Sequence, residues 1–369
     1  MKLLTILVFL GVMVLITTER VHRTAAALVG AAVLMLVKVF SFEEALEYVD
    51  FNTIGVLVGM MLFVAVIKQS GMFEYVAIKS AKFVNADPWK MMIIFVIITA
   101  LLSSCLDNVT TVLLVGPMTI AISNLLEVNP VPYLLMQILA SNVGGTATLI
   151  GDPPNIMIGS ATGLTFLDFV KNTGGAVVMV LIVQIFMMKF LYKKSIMATE
   201  EAKSKVMALD EKKAITNPRL MKIGICVIIY IIIGFLFHDK LGIQSSVIAL
   251  SAAAFMLIIK GKHVESLIED VEWSTILFFI SLFIIVGGMQ KTGVITAMSE
   301  ALIRITEGHE LLTILVILWA SALISSILDN IPFVATMIPL ILAMKAQGMD
   351  VELLWWALSL GACLGGNGT

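Results

Sequence analysis

Charged side chains are scarce in this chain. Only 14% of its 369 residues are Asp, Glu, Lys or Arg, whereas 59% are hydrophobic, and this balance excludes an ordinary soluble domain. The three cysteines have no spacing typical of a metal or redox site, and they are too few for a disulfide framework. A net charge of −2 offers no basic surface to nucleic acid. We therefore expect no nucleic-acid partner and no cofactor.

Apolar sequence is abundant instead. Runs of roughly 15 to 20 residues, the length that crosses hydrocarbon, recur along the whole chain. The predicted spans are Leu3–Thr18, Thr24–Phe40, Ile54–Ile67, Met91–Leu106, Val109–Leu126, Val131–Ser160, Gly174–Leu191, Lys222–Phe237, Ile243–Ile259, Thr275–Met289, Thr313–Ile327, Ile331–Met344 and Leu353–Thr369. Two amphipathic segments, Ser41–Asp50 and Met72–Phe83, are predicted to be interfacial helices. The pattern predicts an all-α, multi-pass protein of the plasma membrane with the lipid bilayer around it.

One segment of the chain occurs twice. Residues 103–108 return as residues 325–330, 222 positions later, and both copies contain Leu-Asp-Asn. Duplicated membrane units with a polar break in each are typical of secondary transporters. The predicted organisation is a first transmembrane repeat at 1–191, a cytoplasmic linker at 192–219 and a second transmembrane repeat at 220–369.

The placement of Lys and Arg predicts that the two repeats are inverted relative to each other. If the arms around each Asp-Asn pair enter and leave on one side, the first repeat crosses the membrane an odd number of times. With the N-terminus outside, 17 Lys and Arg residues then lie inside and 7 outside, the bias expected of cytoplasmic loops. Because the Gly-Gly pair at 144–145 returns at 365–366, just before the last residue, we expect the second repeat to be C-terminally truncated.

Each repeat places an acidic break inside an apolar stretch. Its residues are Asp107, Asn108, Thr110 and Thr111 in the first copy, and Asp329 and Asn330 in the second. A carboxylate in hydrocarbon costs about 3 kcal/mol or more, so a break of this kind predicts an ion or substrate pathway. The alternative is that the Asp or Asn caps the helix that follows. Capping explains a single Asp better than an Asp-Asn pair present in both copies.

A polar interruption rich in glycine and proline lies within the segment Val131–Ser160. Its candidate site residues are Asn142, Gly144, Gly145, Thr146, Thr148, Asp152 and Asn155, with Gly365, Gly366 and Asn367 as counterparts in the second repeat. Glycines and prolines stop a membrane helix, and unwound backbone at this depth is tolerated only where it is buried or lines a cavity. Its carbonyls, with Thr and Asn oxygens, suit a hard cation. The alternative is a simple loop between two short helices.

Residues 106–111 and 142–155 together resemble the motifs of the arsenite-permease and sodium/proton-antiporter family (ArsB/NhaD type), in particular the branch that contains the melanosomal P protein. That family is part of the ion-transporter superfamily with the citrate and dicarboxylate carriers. The resemblance implies two inverted repeats, each with a re-entrant helical hairpin and a broken transmembrane helix. In the first repeat these would be about 88–127 and about 131–161. It also implies a homodimer and an elevator-like movement of the hairpin domain.

We therefore expect a secondary active ion transporter rather than an enzyme. A buried carboxylate can hold either a proton or a metal cation, which is the simplest chemistry for antiport coupled to H⁺ or Na⁺. The candidate Na⁺ ligands are Asp107, Asn108, Thr146, Asp329, Asn330 and Asn367.

Other functions stay open. The same polar breaks suit efflux of arsenite or antimonite. Uptake of a di- or tricarboxylate such as citrate is less favoured, because the carboxylate carriers have neutral Ser-Asn-Thr tips where this chain has Asp-Asn. A membrane scaffold without transport is a further alternative. An intramembrane aspartyl protease would need Gly-x-Gly-Asp, and residues 149–152 lack the first glycine.

Overall fold

The computed structural model describes residues 1–192, 196–261 and 264–368, and every regular element in these ranges is helical. In chain order, helices α1 to α19 are Lys2–Thr17, Arg23–Leu36, Phe42–Glu47, Phe51–Lys68, Met72–Phe83, Pro88–Ser103, Asn108–Leu125, Val131–Gly145, Pro153–Thr162, Phe166–Tyr192, Glu200–Met207, Pro218–Leu241, Ser245–Lys260, Val264–Glu269, Trp273–Lys291, Val294–Ile305, Glu310–Ser325, Asn330–Ala346 and Glu352–Gly365. Short 3-10 turns are Glu211–Ala214 and Gly366–Gly368. The all-helical prediction is confirmed for these residues.

The apolar helices fit a multi-pass membrane protein. Helices α4, α7, α10, α12 and α15 are long and apolar enough to cross a bilayer, and α1, α2, α6, α13, α17 and α18 are shorter apolar helices. Large apolar side chains point outward on several of them, and Phe190 of α10 is 92% exposed. Such a surface is stable in hydrocarbon rather than in water. The plasma membrane as the location stays a prediction.

The sequence repeat reappears in the positions where helices begin. The pairs α2 and α13, α3 and α14, α4 and α15, α5 and α16, α6 and α17, and α7 and α18 each begin 222 residues apart. Local causes recur as well: Gly71 and Gly293 precede α5 and α16 with φ of 77° and 74°, a conformation that favours glycine. The duplicated segments therefore carry the same local signals. Helices α14 and α16 were not among the predicted elements.

Packing divides the chain differently from the sequence repeats. One compact unit contains Met1–Leu57, Pro153–Leu164 and the chain from Glu272 onward. The other contains Val58–Asp152 and Thr165–Val271. A repeat is a duplication along the sequence, whereas a unit reflects which helices touch. The repeat boundaries at 191 and 219 therefore stay a prediction from the sequence.

In the first unit, α15 packs against α1, α2 and α3, and α17 packs against α19. Helix α9 packs against α18 and α19. The Thr24 hydroxyl donates to the Ser274 carbonyl at 2.8 Å, which holds the beginning of α2 against the beginning of α15.

In the second unit, α8 packs against α6, α7 and α10, and α5 packs against α6 and α7. The core around these helices contains Met91, Met92, Phe95 and Tyr133, all buried. The Tyr133 hydroxyl donates to the Pro88 carbonyl at 2.8 Å, so the aromatic ring is buried with its polar atom satisfied. The packed α6–α8 pair therefore fixes the positions of the residues that follow the two helices, after Ser103 and after Gly145.

The polar linker folds onto the second unit. It contains α11, whose Ala202 and Val206 are fully buried, and the turn Glu211–Ala214. Lys82 of α5 lies 2.6 Å from the Glu211 carboxylate, and this hydrogen bond lowers the pKa of Glu211. The backbone N–H of Thr216 donates to the Ser70 carbonyl at 3.1 Å. Residues 193–195 of the predicted linker lie outside the described residues.

Candidate functional site

The first acidic break lies in the second unit, between α6 and α7. Asp107 precedes α7, is only 7% exposed, and accepts the Thr110 backbone N–H on Oδ1 at 2.8 Å. The alternative that Asp107 caps a helix thus corresponds to an observed contact. Thr111 is one turn further along and is buried, and its hydroxyl has no hydrogen-bond partner among the described residues. A helix cap and an unsatisfied hydroxyl therefore lie together at this tip.

One amide joins this tip to both sides of the interruption between α8 and α9. Nδ2 of Asn108 donates to Oδ1 of Asn142 at 2.8 Å and lies 3.5 Å from Oδ1 of Asp152. Asn142 comes just before the glycines, and Asp152 comes after them. The structure thus brings together candidate residues that are more than 30 positions apart in the sequence.

The interruption itself is held by hydroxyl groups. The Thr148 hydroxyl donates to the Ser104 carbonyl at 2.6 Å and accepts the Gly151 N–H at 3.2 Å. The Thr146 hydroxyl donates to the Asn142 carbonyl at 2.8 Å, and Thr173 donates to the Thr146 carbonyl at 2.8 Å. These contacts meet the condition for non-helical backbone at membrane depth, namely burial within protein. The long apolar segment is interrupted where its glycines and prolines predicted.

The glycines of this break allow two helices to touch. A Cβ on Gly144 would overlap the Ala100 carbonyl of α6, and a Cβ on Gly145 would overlap the Gly151 carbonyl. The second copy repeats the arrangement, because a Cβ on Gly365 would lie 2.6 Å from the Ala322 carbonyl oxygen of α17. Both copies therefore require glycine for the same close approach of backbones.

The first break consists of the Asp107–Thr111 tip and of the interruption between α8 and α9, to which Asn108 connects it. Its candidate ligands are oxygen atoms. The carboxylates of Asp107 and Asp152 are buried, and the Asn108 amide contacts both Asn142 and Asp152. Within the described ranges no group of three or more His, Cys, Asp or Glu side chains could hold a metal ion. Carboxylate, amide and hydroxyl oxygens suit a hard monovalent or divalent cation better than a thiophilic metal.

The second acidic break lies in the first unit and has a different environment. Oδ1 of Asp329 accepts the Ile331 N–H at 3.2 Å, again as a helix cap. Oδ2 of Asp329 lies 2.8 Å from a guanidinium nitrogen of Arg23. The other terminal nitrogen of Arg23 is 3.4 Å from the Thr275 hydroxyl, and the guanidinium lies 5.4 Å from the centre of the Phe278 ring. A basic side chain thus neutralises this carboxylate.

The remaining residues of the second break follow α19. The Asn330 side chain lies beside Gly366, since a Cβ there would be 3.3 Å from Nδ2 of Asn330. Asn367 is in the 3-10 turn that follows. Ser325 ends α17, and its buried hydroxyl has no hydrogen-bond partner among the described residues.

Asn155 belongs with α19 rather than with the first break. It is buried in α9, and its Oδ1 accepts the Ser359 hydroxyl at 2.7 Å and the Cys363 thiol at 3.6 Å. The predicted residues therefore form two sets. The second unit contains Asp107, Asn108, Thr110, Thr111, Asn142, Gly144, Gly145, Thr146, Thr148 and Asp152, and the first unit contains Asn155, Asp329, Asn330, Gly365, Gly366 and Asn367.

Sequence reasoning missed a polar cluster beside α4 and α9. Oδ1 of Asp50 accepts the Ser160 hydroxyl at 2.9 Å, and Oδ2 accepts the Thr53 hydroxyl at 2.5 Å. A cavity of about 310 Å³ opens next to Asp50 and Ser160. In the second repeat Thr275 donates to Glu272 at 3.0 Å in the same way. The sequence could have revealed this cluster, because Asp50-Phe51-Asn52-Thr53 recurs 222 residues later as the similar segment Glu272-Trp273-Ser274-Thr275.

Comparisons with known proteins address the kind of protein. A family model described as a citrate transporter matches residues 13–361. An uncharacterized transporter of Mycobacterium bovis is 40% identical over 100% of this chain and 87% of its own length. An uncharacterized transporter of Mycobacterium tuberculosis is 42% identical with the same coverage. The human P protein is 31% identical over 97% of this chain and 53% of its own length.

These matches confirm the broader part of the expected resemblance. The wider superfamily with the citrate carriers and the likeness to the P protein are both supported. The narrower identification as an arsenite permease or sodium/proton antiporter stays a prediction.

Proposed function

The chain belongs to the citrate transporter (CitMHS) family of membrane transporters, and we propose that it is a secondary active ion transporter that couples a small substrate to H⁺ or Na⁺ by antiport. The observation that supports this best is the first break. There Asn108 connects a buried interruption of a membrane helix, through Asn142 and Asp152, to the tip that carries Asp107. Carboxylates buried in a transporter are expected to face the ion pathway.

The proposed site holds a cation through oxygen atoms. Asp107 and Asp152 supply negative charge, and Asn108, Asn142 and Thr146 supply neutral oxygens. Proton and Na⁺ would compete for the carboxylates, so that release of one permits binding of the other. Asp329, Asn330 and Asn367 are the equivalent positions at the second break, where the Asp329 carboxylate already has Arg23 as its counter-charge.

The proposed movement is alternating access, with each pair of arms as a re-entrant hairpin in one of two inverted repeats. Three of the four arms are short enough to support the hairpins, namely α6, α17 and α18 with 16, 16 and 17 residues, whereas α7 with 18 is long enough to cross a bilayer. Helix α6 has 16 residues, and at 1.5 Å per residue it spans about 24 Å, less than the roughly 30 Å of hydrocarbon. A homodimer and an elevator-like movement complete the proposal. Native mass spectrometry of the purified protein tests the dimer.

The decisive test is Asp107→Asn in proteoliposomes with imposed Na⁺ or H⁺ gradients. Asn is as good a helix cap as Asp, so this change removes the charge while keeping the cap. Loss of a charged ligand costs on the order of 3 kcal/mol, or roughly a hundredfold in cation affinity. We expect coupled flux to fall by at least that factor at low cation concentration.

Asp87→Asn is the matched control. Asp87 caps α6 through the Lys90 N–H at 2.9 Å, in the same unit but away from the break. This variant should transport normally. Normal coupled flux in Asp107→Asn would contradict the proposal.

Carboxylate uptake is the second candidate, and the family description as a citrate transporter favours it. The same proteoliposomes, assayed with radiolabelled citrate, distinguish the two. Citrate uptake driven by a cation gradient would show that carboxylate uptake, and not antiport, is the function. Cation exchange in the absence of citrate would support antiport.

A further inference from the structure

The Arg23–Asp329 pair has no equivalent in the sequence of the other repeat. Arg23 is the first residue of α2, and the residue 222 positions later is Ser245, the first residue of α13. The two helices begin in register, as do five further pairs. The first half of the chain therefore places a guanidinium at a position where the second half has a neutral hydroxyl.

Arg23 is fixed in place by its surroundings. Its guanidinium contacts the Asp329 carboxylate, the Thr275 hydroxyl and the face of Phe278. The neighbouring residue Thr24 is bonded to Ser274, so the backbone at this point is tied to α15. A planar, permanently charged guanidinium held by three partners behaves as a resident cation.

The Asp329–Arg23 ion pair lies at the edge of an open cavity. The side chain of Asp329 is 21% exposed, and that of Arg23 is 41% exposed. They line an opening of about 430 Å³, together with Glu19 and His22. Small cations can therefore reach this carboxylate, and the guanidinium is what they would have to displace.

We propose that Arg23 is a tethered counter-ion that takes the place of an exchangeable cation at the second break. Asp329 then holds no coupling ion, and the chain has a single exchangeable site, at the first break. This inference rests on the proposed cation coupling. It assigns Arg23 the role of setting the number of coupling ions.

The test is Arg23→Gln in the purified full chain, with ²²Na⁺ as the probe at alkaline pH. Removing the guanidinium should free Asp329, and binding should rise from one Na⁺ per chain to two. If the coupling ion is the proton, the number of protons moved per turnover, measured in proteoliposomes, should be one higher in the variant than in the wild type. Arg23→Lys, which keeps the charge, should bind like the wild type. The double variant Arg23→Gln with Asp329→Asn should return to one.

The outcomes separate this inference from the proposed function. One cation per chain in both the wild type and a folded Arg23→Gln, judged by size-exclusion and thermal melting, overturns the tethered counter-ion alone. Two cations per wild-type chain also overturn it. No bound Na⁺ and no coupled proton in the wild type would reject the cation coupling as well. If Arg23→Gln fails to fold, Arg23→Met provides the same loss of charge with the aliphatic packing retained.

Discussion

The two acidic breaks have nearly the same sequence and different surroundings. At the first, Asn108 links the tip to Asn142 and Asp152. At the second, the Asp329 carboxylate meets Arg23, a residue 306 positions away. Duplication preserved the local motif, while the helices packed around each copy diverged. Equal sequence at two tips therefore does not imply equal chemistry, and the two copies must be tested separately.

The largest difference should come from removing the amide at each tip. Asn108→Ala breaks the contacts with Asn142 and Asp152, and losing hydrogen bonds to a buried charged group costs about 1.5–3 kcal/mol, or roughly ten- to a hundredfold in ²²Na⁺ affinity. Asn330→Ala, the equivalent change, should alter affinity by less than about threefold, because the coupling ion binds elsewhere. Equal losses of ²²Na⁺ affinity in the two variants would contradict the conclusion that the two breaks differ in chemistry.

Glycine packing should show the opposite result, with both copies equally sensitive. Gly144→Ala and Gly365→Ala each force a methyl group against a carbonyl of the facing helix, at a cost of about 1–3 kcal/mol. Thermal melting should show both variants destabilised. The control is Gly175→Ala in α10, where an added Cβ meets nothing within 4 Å. There the change should be neutral or stabilise the helix by up to about 1 kcal/mol. A stable Gly365→Ala would show that the second close approach is dispensable.

The smallest effect should come from an ion pair away from both breaks. The Lys82–Glu211 pair holds the linker, and its hydrogen bond lowers the pKa of Glu211. A depressed carboxyl pKa stabilises the docked linker above the ordinary value of 4.5 and loses that effect as pH falls through the lowered pKa. Lys82→Gln should leave the number of bound ²²Na⁺ ions at the wild-type value and slightly raise tryptic cleavage near Lys212 at neutral pH. The difference from wild type should shrink at acid pH and in high salt. A changed cation number in Lys82→Gln would undercut the specific role given to Arg23.

Much of the fold followed from local patterns. The apolar runs placed most of the helices, and the predicted interfacial segment Met72–Phe83 coincides with α5. The omission of α16 was avoidable, because its start at Val294 lies one repeat length after Met72. Its apolar residues also recur at helical spacing, as they do in Met72–Phe83, so the amphipathic pattern was a second available signal. The buried face of α11 was a different case, since Ala202 and Val206 look unremarkable in a polar linker.

The candidate residues were found from the sequence, but their grouping was not. Glycines, prolines and an Asp-Asn pair in apolar stretches identify a break wherever it lies. Asn155 was assigned to the first break because it follows Asp152 closely, yet its partners Ser359 and Cys363 are more than 200 positions away. Arg23 was counted in the sequence argument only among the 17 Lys and Arg residues predicted to lie inside, and nothing in its neighbours pointed to Asp329.

The sequence by itself determined the helices, their repeat and the positions of the polar breaks, because capping, helical period and chain-breaking residues act within a few positions of one another. Tertiary structure alone decided that the Asp329 carboxylate meets the Arg23 guanidinium. It also decided that the Asn108 amide contacts Asn142 and Asp152. Those pairings depend on helices brought side by side by packing, and side chains far apart in the chain meet only after that packing is in place.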